Sequence, residues 1–221
     1  MRDIALSPSP SDSQSEAEAP RLNRRQAAKV RTRQKVLDAA RQLFAERGYE
    51  PATIRDIAKG AGMSTGAVFA NFQDKAELFE AVLTGDLVKL AEVMKAAAAA
   101  EGSVRTRLLS ALGAGYHGSL EQLPLVQAVI ARSWFQPVAA EMRTRDAIKP
   151  LLAVVTDALQ AGVGEGELRQ DADVRLLGEL IYDAFLSNYR RAAYDGWTTA
   201  QMAERLDKQV GVILAGALSR Q

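Results

Sequence analysis

Residues 53 to 72, TIRDIAKGAGMSTGAVFANF, leave this chain little choice of local fold. Thr53 offers the side-chain oxygen of a helix N-cap, and Ile54, Ile57, Ala58 and Ala61 recur at helical spacing behind it. Gly62 falls where the backbone must turn sharply, and Ser64 caps a second helix. Two short helices joined by a glycine turn make a helix-turn-helix. The second helix of such a unit can lie in a major groove with its first residues against base edges, which points to double-stranded DNA. The same small unit also occurs as plain scaffold, and this segment alone leaves both readings open.

The flanks favour DNA. Arg21, Arg24, Arg25, Lys29, Arg31, Arg33 and Lys35 precede the unit with no acidic residue among them, an arm that phosphates attract. The formal charge of the whole chain is only +1, yet it is −3 over residues 1–20, +7 over 21–75 and −3 over 76–221. Basicity confined to one region is the footprint of a DNA-reading module joined to a different kind of module. Arg31, Arg33 and Lys35 either point outward to phosphates or form a solvated basic face.

The inventory excludes several chemistries. With no cysteine there is no disulfide, thiol nucleophile or thiolate metal site, and the single histidine, His117, cannot build a multi-histidine metal centre. No glycine-rich phosphate loop, clustered metal ligands or nucleophile–base pair is recognisable, so neither an enzyme nor a cofactor or metal is expected. No uninterrupted apolar run approaches the roughly 18 residues of a membrane span, and the N-terminus lacks the order of a signal peptide. A cytoplasmic chain with no membrane partner is expected.

From about Arg25 the pattern is helical, and no strand pattern competes with it in the later part of the chain. Residues 1–20 are poor in apolar side chains and rich in Ser, Pro and acid, and are expected to be disordered. Val36, Leu37, Ala40, Leu43 and Phe44 mark a first helix that Gly48 stops, and Asp74 with Glu77 has the spacing of a capping box opening a fourth. Further helices follow, separated by Pro124, Pro137, the glycines at 162, 164 and 166, and Asp195-Gly196; Pro150 predicts a kink or a boundary. The last two helices, near 172–194 and 198–219, carry long apolar faces: Val174, Leu177, Leu180, Ile181, Ala184 and Phe185, then Met202, Leu206, Val210, Ile213, Leu214 and Leu218. These faces either complete the core of one chain or form an interface between two. The expectation is an all-α protein with a disordered tail (1–24), a three-helix helix-turn-helix domain (25–78) and a larger helical domain (79–221).

The continuous segment from Arg31 to Leu83, with its LFAERGYE turn, TIRDIA helix, GMSTGAVF recognition helix and DKAELF opening of the next helix, resembles the DNA-binding domain of the TetR/AcrR transcriptional regulators. The remainder resembles that family in being helical, in length and in the Gly166-Glu167-Leu168 stretch before the final two helices. The resemblance implies a homodimer whose N-terminal domains hold an operator and whose C-terminal domains bind a small-molecule effector, usually as a repressor; the apolar faces make the last two helices the candidates for its interface. It implies phosphate contacts at Thr53 and Lys75 and a base-facing turn at Thr65, Gly66 and Ala67, behind the cap Ser64. Phe69 stands where a tyrosine is usual; without a hydroxyl it is expected to pack. Asn71 either reads adenine or a phosphate, or caps locally.

For the effector, the middle helices supply Met94, Tyr116, His117, Trp134, Phe135, Met142, Tyr182, Phe185 and Tyr189, each of which is either pocket lining or core. A ligand that prefers the dimer with wrongly spread heads would release DNA by its differential affinity for the two states. An architectural or interaction protein on the same scaffold, with no effector, is the alternative.

Overall fold

The computed structural model describes residues 24–219, and the nine helices found among them follow the expected punctuation. They are α1 (Arg24–Arg47), α2 (Ile54–Gly60), α3 (Thr65–Phe69), α4 (Lys75–Ala98), α5 (Val104–Leu120), α6 (Leu123–Ser133), α7 (Val138–Gly164), α8 (Val174–Asp195) and α9 (Thr199–Ala215). The segment expected to be disordered lies outside the described residues except for Arg24, which opens α1. Side-chain oxygens of Thr53, Ser64, Asp74, Ser103 and Thr198 accept the N–H three residues on at the starts of α2, α3, α4, α5 and α9, satisfying donors that a helix start leaves unpaired. Pro150 neither breaks nor bounds α7, which runs through it.

The apolar faces gather into two cores. In the first, the head, Val36, Ala40 and Phe44 of α1 meet Ile57, Ala58, Val68, Phe72, Leu78, Phe79 and Val82. Phe79 is set edge-on to Phe44 at 5.2 Å and to Tyr49 at 4.9 Å, arrangements that aromatic quadrupoles favour. In the second, the body, α4, α5, α7, α8 and α9 enclose residues such as Met94, Leu108, Leu112, Val155, Leu159, Ile181, Phe185, Leu206 and Val210. The buried Tyr116 hydroxyl donates to the Phe185 carbonyl at 3.0 Å. It accepts from Asn188, whose amide also donates to Gln209, so one buried polar chain ties α5, α8 and α9 together.

The Gly166-Glu167-Leu168 stretch has a structural purpose. The Glu167 carboxylate accepts the Val104 N–H at 3.0 Å, closing the start of α5, while backbone bonds from Arg169 to Ala217 and from Ser219 to Glu167 fasten the end of the described chain. By length and composition α7 alone of the described helices would span a bilayer, but its Leu151, Val155, Leu159 and Val163 are buried in the body.

Burial raises the hydroxyl pKa values of Tyr116, Tyr182 and Tyr189 above the ordinary 10.0, Tyr182 to about 12. In the unfolded chain these hydroxyls ionise near 10. Their contribution to stability is therefore complete below pH 10 and lost as pH rises towards the folded values. A urea titration repeated across pH should show this contribution constant to pH 10 and falling above it, with tyrosinate absorbance appearing together with the loss of helix. Ionisation preceding unfolding would show these hydroxyls to be accessible.

Candidate nucleic-acid interface and ligand cavity

The head presents α3 on its surface because Gly62 takes φ +67° and lets the chain reverse within two residues of α2. Met63 N–H closes the turn onto the Ala58 carbonyl at 2.9 Å. Only Val68 on α3 and Phe72 just beyond it anchor the element in the core. Ser64, Thr65 and Gly66 are exposed, with Ala67 half-buried behind them, and a Cβ added at Gly66 would meet nothing nearer than Ser64 Oγ at 3.8 Å. A backbone or base edge can approach closely there. Thr53, also exposed, shares its hydroxyl with Asp56, donating at 2.7 Å to the carboxylate.

Three expectations change. Phe69 does not pack: it is 54% exposed, because a five-residue helix anchored by Val68 turns its neighbour outward. Lys75 does not offer a free ammonium beside α3. Its Nζ donates to the carbonyls of Tyr49 (3.0 Å), Glu50 (3.2 Å) and Ala52 (3.1 Å) and sits 4.2 Å over the Tyr49 ring, so all three N–H donors are spent on the loop before α2. Arg33 lies with its guanidinium 4.3 Å over the Phe72 ring, bracing α3 from α1, whereas Arg31 is exposed. Of the two readings of Asn71 the geometry displays the local one. Its amide donates to the Ala67 carbonyl at 2.9 Å, and its Oδ1 is enclosed without a partner.

In the body a cavity of about 900 Å³ opens between α4, α6, α7 and α8. Its wall is mainly apolar, with Leu87, Leu90, Val126, Ile130, Phe185 and Tyr189 prominent. Of the nine residues proposed from sequence, Trp134, Tyr182, Phe185 and Tyr189 line it. Met94 and Tyr116 are fully buried in the core behind the wall, Tyr116 stacked on Phe185 at 4.5 Å. His117, Phe135 and Met142 lie outside it. His117 is exposed on the outer side of α5, Phe135 in the α6–α7 turn is 91% exposed, and Met142 near the start of α7 is 54% exposed.

The last two helices also resolve differently from one half of the expectation. Leu177, Ile181 and Phe185 of α8 and Met202, Leu206, Val210 and Leu214 of α9 are spent in the core of their own chain. What remains outside is Leu180 of that expected face, together with Leu176 and Tyr194 on α8 and Val212 on α9.

Cavity and head share α4 and α6, and the side chains that join them there were not found by sequence reasoning. On α6, Val126 and Ile130 face the cavity, and the adjacent Leu125 both borders it and belongs to the head's core. At the end of α6 the Arg132 guanidinium lies 4.1 Å over Tyr49 and 5.5 Å over Phe79, clamping the helix to the head. On α4, cavity-lining Asp86 accepts from Arg41 Nε of α1 at 2.7 Å; burial raises its pKa, which the guanidinium opposes. No sequence signal marks Arg41, Asp86 or Arg132, since each partner is set by packing of distant segments. Among the described residues no group of three or more His, Cys, Asp or Glu side chains is placed to hold a metal.

Comparison with known proteins agrees with this arrangement. The sequence profile of the bacterial regulatory proteins of the tetR family matches residues 36–82. The HTH-type transcriptional repressor KstR2 of Rhodococcus jostii (strain RHA1) is 30% identical over 159 residues, covering 68% of this chain and 74% of that protein. The HTH-type transcriptional repressor AcnR of Corynebacterium glutamicum is 28% identical over 193 residues, 82% of this chain and 92% of its own. The structure of Thermus thermophilus FadR, a TetR family transcriptional repressor in complex with lauroyl-CoA, matches with a TM-score of 0.68 at 26% identity, covering 86% of this chain and 96% of that one.

Proposed function

Because the chain belongs to the tetR family of bacterial regulatory proteins and is a DNA-binding transcriptional regulator rather than an enzyme, we propose that it is a homodimeric repressor released from a palindromic operator by a large apolar effector. In this reading residues 25–78 form the operator-binding domain and 79–221 the effector-binding and dimerisation domain. The observation that carries it is the cavity of about 900 Å³ whose wall includes α4 and α6, both of which also build the head. That volume lies towards the upper end of the roughly 300–1,000 Å³ range of ligand sites. An acyl chain suits the apolar wall, and the lauroyl-CoA complex of the Thermus relative supports an acyl thioester as the ligand class. A ligand that spreads α6 from α4 moves Arg132 and Leu125 with it, and so alters the angle of the head.

Two heads one helical turn of DNA apart supply the two half-sites that a five-residue recognition helix needs. Selection of DNA sequences on the purified protein should enrich a palindrome. Lauroyl-CoA should raise the melting temperature and weaken operator binding, and operator should weaken lauroyl-CoA binding by the same factor, about 5- to 150-fold for a coupling of typical size. Equal ligand affinity with and without operator would refute the coupling, and binding without enrichment would favour an architectural protein.

The exposed residues of the head separate affinity from sequence preference. Arg31→Gln should weaken binding to all sequences alike and lower the salt-dependence slope by about one. Phe69→Ala should shift preference at one or two base pairs while leaving that slope unchanged, because an apolar ring meets thymine methyls and neutralises no phosphate. Binding isotherms across a salt series on selected and scrambled sites measure both; a salt slope altered by Phe69→Ala would place that ring elsewhere.

A further inference from the structure

One exposed stripe of α8 runs Leu176, Leu180, Asp183, Ser187, Arg190, Tyr194 at alternating spacings of four and three, which places all six side chains on a single helical face. Its first part is the exposed leucine pair. Its last four residues, Asp183, Ser187, Arg190 and Tyr194, are also the lip of the cavity. The surface left for a partner and the mouth of the ligand site are therefore one continuous strip.

The strip is complementary to itself. Two copies laid antiparallel about a two-fold axis near Ser187 bring Asp183 opposite Arg190 of the partner subunit and Leu180 opposite Tyr194 of the partner subunit, each contact occurring twice, as an isologous interface requires. Ser187 at the centre is small, and its hydroxyl already donates to the Ala184 carbonyl at 2.8 Å, so it brings no unpaired donor to the axis. Neither Asp183 nor Arg190 is in an ion pair among the described residues; Arg190 is stacked at 5.4 Å on Tyr194 within its own helix. From this we infer that α8 pairs with α8 of a second copy in that register, and that the partner subunit closes the mouth of the ligand cavity. This rests on the reading that the chain dimerises through its last two helices. Trp134, which lines the cavity yet is 81% exposed in the single chain, is then covered on dimerisation. Ligand retention and dimerisation become one event.

A charge exchange on the full chain tests the register. Asp183→Arg alone opposes two arginines and Arg190→Asp alone opposes two aspartates, so each homodimer should weaken at least about tenfold by sedimentation. Mixed in equal amounts, the two variants match at both contacts and should form heterodimers of near wild-type strength. Circular dichroism and melting curves confirm that each is folded. Single variants that stay dimeric, or a mixture without heterodimer preference, overturn the register. If Leu180→Arg with Val212→Arg is nevertheless monomeric, the dimer through α8 and α9 stands and only the register falls; a monomeric wild type removes the dimer and the inference with it.

Closure is read separately in a Trp197→Phe background, which leaves Trp134 as the sole tryptophan. Acrylamide should quench Trp134 severalfold less in the wild-type dimer and in the matched heterodimer than in the Asp183→Arg monomer. Equal quenching in all three overturns closure by the partner.

Discussion

Lys75→Met is expected to cost the head about 3 kcal/mol, because three carbonyls of one loop lose their shared donor together. The methionine keeps the length and apolar stem of the lysine, so the change isolates the ammonium. Tyr49 and Ala52, two of the three acceptors, are nearly buried, and water cannot simply replace the lost donor at their carbonyls. The loop they belong to delivers Thr53 to the N-cap of α2, so its loosening is felt first in α2 and at the Gly62 turn. Hydrogen exchange should rise sharply across residues 49–62 while the body, whose core Lys75 does not touch, exchanges as before. DNA binding should fall on every sequence as a consequence of the disordered head. Lys75→Arg should rescue little, since a planar fork does not converge on three carbonyls as a tetrahedral ammonium does. Unchanged exchange, with affinity lost only at low salt, would instead place the ammonium on a phosphate.

That residue shows where sequence stops being legible. The helix-turn-helix could be read because its signals are local: Thr53, Ser64 and Asp74 each cap within three residues, and Gly62 needs only its own φ. A lysine in a first helical turn reads as a phosphate ligand or a capping side chain equally well, and the choice was made by a loop 23 to 26 residues earlier in the chain. Phe69 misled for the opposite reason, since a ring without a hydroxyl suggests packing while the five-residue helix has room for one anchor, Val68. On α8 the periodicity of Leu177, Ile181 and Phe185 announced a buried face but not its partner; the core of the same chain took it, leaving Leu176 and Leu180 outside. The cavity was half legible. Tyr182, Phe185 and Tyr189 were found as aromatics on a helical face, but whether such a residue meets a void or a neighbour is decided by the spacing between α4, α6, α7 and α8.

Phe185→Ala should produce the largest loss in the body, about 4 kcal/mol, and should change the ligand site at the same time. The ring is 2% exposed, stacked on Tyr116 at 4.5 Å and edge-on to Tyr189 at 5.4 Å, and its backbone carbonyl accepts the Tyr116 hydroxyl. Removing it leaves a void beside a cavity that already exists, and the buried Tyr116–Asn188–Gln209 chain loses the packing that holds its geometry. Because Phe185 also lines the cavity, the void joins the ligand space rather than standing alone. A bulky apolar ligand that reaches into the enlarged pocket should therefore recover part of the loss, by an amount that grows with the logarithm of its concentration. The checking measurement is a pair of urea titrations, with and without lauroyl-CoA, on wild type and variant. A variant as destabilised as expected but stabilised by the ligand no more than wild type would separate the core beneath Tyr116 from the ligand site. The larger ligand gain in the variant would tie the two together through one ring, so that occupancy of the cavity and order in α5, α8 and α9 are set by the same contact.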